Sequence, residues 1–350
     1  MKAIIWAAGL GTRLRPLTEN IPKAMVSIAN RPMVEQAVDL CARAGIKEVM
    51  INLHYFSDVI TDHMGDGSRF GLKIEYSYEE ELLENAGAVV KVKDFFENKP
   101  FIAIASDNLA DVDVHELIDY HLDRKALVTI ATTKADDVSK YGIVASDPLG
   151  RISVFQEKPN KEEAKGDQVA TCIYAFSPDI FHYLPSRPEK THFGKDVFPE
   201  LIAKNEAIYA FQHGGYWNDI GHPSNYLRTN FDVLNQAVDM NIPYPEIRPN
   251  VYIGENVYIA PTARIIGPAI IGSRSHIGQH AVIGPYAVIG EHCVIEDHAQ
   301  IERSILWDHC IIEMFANIWE SILAKQTRIY KSNQIKNLVL GKGSLVNRTF

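Results

Sequence analysis

From residue 253 onward, isoleucine recurs at every sixth position: Ile253, Ile259, Ile265, Ile271, Ile277, Ile283, Ile289, Ile295 and Ile301. A small or modest side chain follows four places later, at Val257, Ala263, Ala269, Ser275, Ala281, Ala287, Cys293 and Ala299. A period of six fits neither a helix nor a hairpin meander, but it fits one flat face of a triangular parallel β-helix. Each isoleucine points inward and stacks on its equivalent one coil above, while the small residue lets the chain turn the corner. Three hexads make a coil, so the unbroken run predicts about three coils. After Ile301 the phase slips by one residue and resumes at Leu306, Ile312 and Ile318, which predicts further, less regular coils.

Upstream the pattern is different. "KAIIWAA", "KEVMINL", "LKIEYSY", "FIAIASD" and "LVTIATT" read as strands, and 33–44, 86–97 and 113–124 show helical spacing. This alternation predicts an α/β fold with a Rossmann-like mixed, mostly parallel sheet, whose ligands gather beyond the carboxyl ends of the strands. Pro243, Pro245 and Pro249 interrupt the alternation. The expected organisation is therefore a domain over 1–240, a linker over 241–250 and the β-helix over 251–350.

At 350 residues, the chain has the length of about two domains. A net charge of -9 argues against a nucleic-acid-coating surface. Cys41, Cys172, Cys293 and Cys310 show no metal-site spacing and read as reduced buried thiols. "MKAIIWAAG" runs straight into a strand and no stretch has the length of a membrane span, so the expected location is cytoplasmic, without membrane partners.

"WAAGLGTRLRPLTENIPKAM", residues 6–25, follows the first strand. Gly9 and Gly11 let backbone N–H groups surround a phosphate, and Arg13, Arg15 and Lys23 add cations at the same place. The segment is neither a Walker loop nor GxGxxG. On composition alone, a polyphosphate site and a glycine turn with solvated cations are equally good readings.

The whole string resembles the signature loop of sugar nucleotidylyltransferases, roughly GxGTRxxPxTxxxPKxM. Gly9, Gly11, Thr12, Arg13, Pro16, Thr18, Pro22, Lys23 and Met25 all fit it, with Ala8 where a glycine is common. "YSYEEELLENAGAV" resembles the base-reading segment, "ASDN" the metal-bearing strand end, "FQEKP" the sugar-phosphate site and "GYWNDIGHPSNY" the second metal site. The tail resembles the left-handed β-helix of many members, notably the mannose-1-phosphate guanylyltransferases.

The resemblance implies attack of a sugar 1-phosphate oxygen on the α-phosphorus of an NTP, with release of pyrophosphate. Two anions must be pressed together, so charge cancellation and alignment dominate catalysis. Arg13, Lys23 and Lys158 take catalytic roles. Ala8, Gly9, Gly11, Thr12, Arg13, Glu79, Glu81, Asn85, Ala86 and Gly87 bind the nucleotide. Asp107, Gly142, Glu157 and Lys158 hold the sugar phosphate, and Asp107 with Asp219 would carry Mg²⁺, a cation suited to few protein ligands. Tyr174 and Trp217 lie near these motifs, with core packing as their simpler reading.

"EELLENAGA" stands where many guanylyltransferases read "EPLGTAGA", and "VATCIYAF" where "NAGIY" is usual. Glu79 or Glu81 could accept two hydrogen bonds from guanine, which favours GTP, and mannose 1-phosphate is the favoured sugar. Glucose-, heptose- and N-acetylmuramic acid 1-phosphates, with UTP or dTTP, stay open. Two rival readings come from the tail: a hexapeptide acyltransferase using His276, His280, His292, His298 or His309, and an assembly module driving homo-oligomers. Removing one preorganised cation should cost on the order of 3 kcal/mol of transition-state stabilisation. Lys158→Ala, which removes such a cation, and Asp107→Ala, which removes an assigned metal ligand, are expected to lose turnover while folding normally, and near-native rates in a pyrophosphate-release assay would contradict these assignments.

Overall fold

The computed structural model describes residues 1–135 and 137–347. Their contacts gather into two compact units, Met1–Gly9 with Val34–Trp217, and Leu10–Met33 with Asn218 onward. Residues 10–33, which include most of the glycine-rich loop, and the residues after 217 thus fold with the β-helix, a grouping that differs from a division at residue 240.

The first unit is built on strands β1 (Lys2–Trp6), β2 (Glu48–Leu53), β3 (Lys73–Tyr78), β4 (Phe101–Ala105), β5 (Val128–Lys134), β6 (Gly142–Ser146), β7 (Ile152–Glu157), β8 (Gln168–Phe176) and β9 (Ile208–Gln212). Their order is β7-β6-β8-β4-β1-β2-β3, with β5 pairing β8 and β9 pairing β5. β1 lies parallel to β2 and β4, in register Ile4 to Met50 and Ile4 to Ala103. β8 runs antiparallel to β4, β5 and β6, so the sheet is mixed, with its parallel half at the N-terminal strands. Ile4, Ile5, Ile51, Phe101 and Ile102 are fully buried, as central strands covered on both faces require.

Helices α1 (Met33–Arg43), α2 (Ser57–Met64), α3 (Glu84–Lys91), α4 (Val114–Asp123) and α5 (Phe198–Ala203) complete the layers. Helix α3 stops short of the expected 97, because Lys93–Phe96 tightens into a 3₁₀ turn that stacks Phe96 on Phe101 at 3.9 Å. The parallel strands all end at one edge, which places the loops starting at Ala7, His54, Glu79 and Ser106 side by side.

In the second unit, residues 251–346 form a left-handed parallel β-helix with three flat faces. Val251 pairs Ala269, which pairs Ala287, a repeat of 18 residues per coil. Later coils pair Ile289 with Leu306 and Leu306 with Leu323, a repeat of 17. The slip after Ile301 is therefore one shortened face recurring in every later coil, and those coils are as regular as the first. Ile271, Ile277, Ile283, Ile289, Ile295 and Ile301 are fully buried, each worth roughly 1.5–3 kcal/mol of apolar transfer.

Corner residues preceding the small ones, including Arg274, His280, His292, His298 and His309, have positive φ. His280 stacks on His298, and His292 on His309, each pair with ring centroids 4.8 Å apart. Within the expected linker, Glu246–Arg248 forms a short strand antiparallel to Val251–Ile253, which covers the open edge of the first coil.

One face of the β-helix is buried on both sides. Its outward-pointing Ile270, Val288, Ile305 and Ile322 are at most 2% exposed, whereas Tyr258 on another face is 53% exposed. Helix α6 (Pro223–Leu234) and the hairpin formed by Ser27–Ile28 and Arg31–Pro32 bond to residues of this face or its margins, as described below. Among the described residues, no helix is long and apolar enough to cross a membrane.

Candidate functional site

The loops at the carboxyl edge of the first unit are tied to one another by side chains. Asn52, at the end of β2, accepts from the amide of Ala7 at 2.7 Å and donates to Glu79 Oε1 at 2.7 Å. Ser106 donates through its hydroxyl to the carbonyl of Trp6 at 2.8 Å, and Asp107, half-buried, follows it in the turn after β4. A Cβ at Gly9 would meet nothing within 4 Å, so the space above its backbone is open to a ligand.

Glu79 is buried and bonded within the fold. It is 1% exposed, and Oε1 accepts from Asn52 while Oε2 accepts from the amide of Leu83 at 3.0 Å. Its carboxylate shapes the loop after β3, and Glu81, exposed on that loop, is the remaining acidic candidate. Asn85, Ala86 and Gly87 are drawn against the 189–193 segment: Asn85 Oδ1 accepts from the amide of Phe193 at 2.8 Å, and the amides of Ala86 and Gly87 both donate to the carbonyl of Thr191. A Cβ at Gly87 would stand 2.1 Å from the Glu189 carbonyl oxygen, so only glycine permits this approach.

Gly142, Glu157 and Lys158 come together. Gly142 is the cross-strand partner of Glu157, and Lys158 Nζ lies 3.6 Å from Glu157 Oε1. Lys158 has positive φ and its amide donates to the carbonyl of Tyr141, which turns its half-exposed side chain off the strand end. Two neighbours here carry no sequence signal beyond a glycine preceded by histidine and phenylalanine. A Cβ at Gly194 would stand 2.7 Å from Glu157 Oε2 and 2.8 Å from the Phe155 ring. His192 is held below its ordinary pKa chiefly by burial, opposed by Glu157 and Glu84 and reinforced by Lys195 and Lys158, so its imidazole is neutral at pH 7.

Tyr174 is core: it is 3% exposed and packs on Trp6, Phe193 and Phe198, and burial pushes its phenol well above the ordinary pKa. Trp217 donates to the carbonyl of Thr171 at 3.2 Å and meets Tyr141 edge-on.

The cations of the glycine-rich loop belong to the second unit. Gly11 takes the left-handed conformation, with Thr18 Oγ1 donating to its carbonyl at 2.7 Å, and starts the 3₁₀ turn Thr12–Leu14. A second 3₁₀ turn, Lys23–Met25, buries Lys23. Its Nζ lies 3.4 Å from Asp219 Oδ1, which also accepts from the amide of Gly221 at 2.8 Å. Arg13 Nη2 lies 4.0 Å from Asp219 Oδ2. A Cβ at Gly221 would stand 2.8 Å from Asp219 Oδ2 and 2.9 Å from Arg13 Nη2, so glycine makes the room in which these side chains meet.

The Asp219 carboxylate, 14% exposed, suits a hard cation that takes oxygen ligands: Oδ1 is occupied, while Oδ2 faces Arg13 beyond hydrogen-bond range. Among the described residues, no group of three or more His, Cys, Asp or Glu side chains is placed to hold a metal ion. A separate cleft of about 550 Å³ runs along α6, lined by Arg228, Phe231, Tyr286, Arg303 and Glu320. It contains none of the expected site residues, and its charges pair internally, Arg228 with Asp232 and Arg303 with Glu320.

Residues 2–236 match the nucleotidyl transferase family, and residues 248–350 match the EIF2B subunit epsilon LbH domain. A UTP–glucose-1-phosphate uridylyltransferase of Synechocystis sp. is 36% identical over 268 residues, 73% of this chain and 69% of that protein. A mannose-1-phosphate guanyltransferase of Yarrowia lipolytica is 34% identical over 231 residues, 65% of this chain and 62% of that protein, so this match spans less than two thirds of the relative. In fold, the chain is similar to the solved structure of HddC from Yersinia pseudotuberculosis, with a TM-score of 0.57 and 26% identity, covering 66% of this chain and 99% of that one.

The two glycine environments predict unequal stability effects. Gly194→Ala forces a methyl group into Glu157 and Phe155 and should cost about 1–3 kcal/mol in denaturant unfolding. Gly9→Ala projects into open space and should stay within about 0.5 kcal/mol of the parent. Equal costs would contradict the packing described.

Proposed function

Because the chain belongs to the nucleotidyl transferase family, we propose that it is an enzyme joining the nucleotidyl group of an NTP, GTP in the favoured case, to a sugar 1-phosphate, mannose 1-phosphate in the favoured case, with pyrophosphate as the second product. The observation that carries this reading is the meeting of Lys23, Arg13 and Asp219 around Gly221, on a loop with the family's signature.

Lys23 and Arg13 serve the triphosphate. Both already face one carboxylate, so an arriving phosphate adds anionic partners to cations held in place, and little reorganisation is needed as charge builds on the departing pyrophosphate. Ala8, Gly9, Gly11 and Thr12 offer backbone N–H groups to the same phosphates. Lys158 takes the sugar phosphate and Glu157 a sugar hydroxyl, with Gly142 and Gly194 leaving the space beside that carboxylate. Asp219, with Asp107, would hold Mg²⁺, which when bound neutralises phosphate charge and polarises the phosphoryl oxygen. The catalytic residues then supply alignment and charge, with no covalent intermediate.

For the base, Glu81 is the acidic group offered to guanine, with Asn85, Ala86 and Gly87 holding the loop that carries it. A second reading, glucose 1-phosphate with UTP, is favoured by the similarity to the Synechocystis uridylyltransferase and by the internal commitment of Glu79. We assign the catalytic segment to 1–240, its linker to 241–250 and the tail to 251–350, a division supported by the two family matches. The exposed Tyr258, Phe315 and Leu345 support homo-oligomers through the β-helix, and the free thiols support a cytoplasmic setting.

Pyrophosphate release screened over five NTPs against mannose-, glucose-, heptose- and N-acetylmuramic acid 1-phosphates tests the proposal. GTP with mannose 1-phosphate is expected to give the highest kcat/KM, and Glu81→Gln to reduce the preference for GTP over UTP by about tenfold, the scale of one lost charged hydrogen bond. A best pair of UTP and glucose 1-phosphate would establish the second reading, and no release from any pair would overturn both.

A further inference from the structure

The cationic loop stands on the β-helix through a buried relay of hydrogen bonds. Trp307, which directly follows the strand Ile305–Leu306 of the doubly buried face, donates from Nε1 to Tyr226 Oη at 2.8 Å. Tyr226 Oη in turn donates to the carbonyl of Ser27 at 2.7 Å. Tyr226, on α6, is fully buried and is the largest side chain so enclosed, and Trp307 is 7% exposed. Ser27 lies two residues beyond the 3₁₀ turn Lys23–Met25, whose exit is closed by the amide of Val26 donating to the carbonyl of Lys23.

Two further clasps hold the same hairpin. Its turn residues Ala29 and Asn30 have φ of 48° and 63°, the positive values that a tight two-residue hairpin turn demands. The amide of Ala29 donates to Asn230 Oδ1 of α6 at 2.9 Å, and Asn30 Nδ2 donates to the carbonyl of Ile289 in the β-helix at 2.7 Å. Near the loop's other end, a Cβ at Gly341 would stand 3.1 Å from Pro16 Cβ, so a late coil also touches the loop.

We infer that Trp307 and Tyr226 are positioning residues for Lys23, and that the β-helix is thereby a working part of the nucleotide site as well as a surface for assembly. The inference rests on the proposed role of Lys23 and deepens it. Buried donors and acceptors left unpaired carry a full desolvation penalty, so loss of one link loosens the hairpin instead of being absorbed locally. The sequence repeat reports only inward positions of the coils, and Trp307 stands outside it.

The test compares Trp307→Phe, Tyr226→Phe and Asn30→Gly in the full-length protein, reading both amide hydrogen exchange and steady-state kinetics. Asn30→Gly keeps the backbone conformation of the turn and removes the side-chain bonds of Asn30 to Ile289 and Tyr244 without touching the core, so it stays informative where a core change prevents folding. In each variant, exchange across residues 23–33 is expected to rise, by about tenfold for Tyr226→Phe, while coils 277–301 keep their protection. KM for the nucleotide should rise with it, and KM for the sugar phosphate should stay unchanged. Unaltered exchange at 23–33 would overturn the relay, and faster exchange with an unmoved nucleotide KM would overturn its positioning role. A parent protein inert toward every nucleotide would refute the functional reading alone, because the exchange comparison decides the relay independently.

Discussion

The carboxylate of Asp219 is the point on which the second unit's chemistry turns. This 14% exposed acid accepts from the amide of Gly221 and faces Lys23, whose side chain is 8% exposed, with Arg13 on its other oxygen. The lysine and the arginine thus face opposite oxygens of one carboxylate. Such a cluster is held together before any phosphate arrives. In the proposed reaction it would supply what two mutually repelling anions need, positive charge already in place and a hard oxygen ligand beside it.

Lys23 and Arg13 keep that geometry because their loop is folded on a rigid support. Stacked isoleucines give the β-helix a dry interior, and one of its faces carries apolar residues outward as well as inward. α6 and the Ser27–Pro32 hairpin close over this face or its margins, bonded through Tyr226, Asn230, Asn30 and Trp307. The loop itself has only two short 3₁₀ turns and a two-residue-stranded hairpin, too little local structure to fix a cation unaided. The proposed catalytic contribution of the tail is thus mechanical and continuous with its packing.

Much of this was legible in the sequence. The six-residue period identified the coils because inward positions of a β-helix obey strict chain geometry, and the apolar runs ending near residues 8, 78 and 107 mark within two residues where the parallel strands stop. Gly142 beside Glu157 and Lys158 followed from motif context. What escaped were pairings between positions distant in sequence. Glu79 reads as a base-reading acid, and only the positions of Asn52 and the Leu83 amide reveal that both its oxygens accept within the fold. Gly194 and His192 reach Glu157 through the packing of α5 and its preceding turn on β7, which no local pattern encodes. The grouping of residues 10–33 with the β-helix depends on outward-facing residues, whose partners a repeat does not specify.

The central claim is that Asp219 and its neighbours assemble one charged centre for metal and triphosphate. Mn²⁺ binding followed by electron paramagnetic resonance, with GTP present, tests it most directly when the parent is compared with Asp219→Asn and Asp107→Asn. The account predicts a protein-bound signal in the parent that either substitution weakens at least tenfold, on the scale of a lost carboxylate ligand. Parent-like Mn²⁺ affinity in either variant would contradict it.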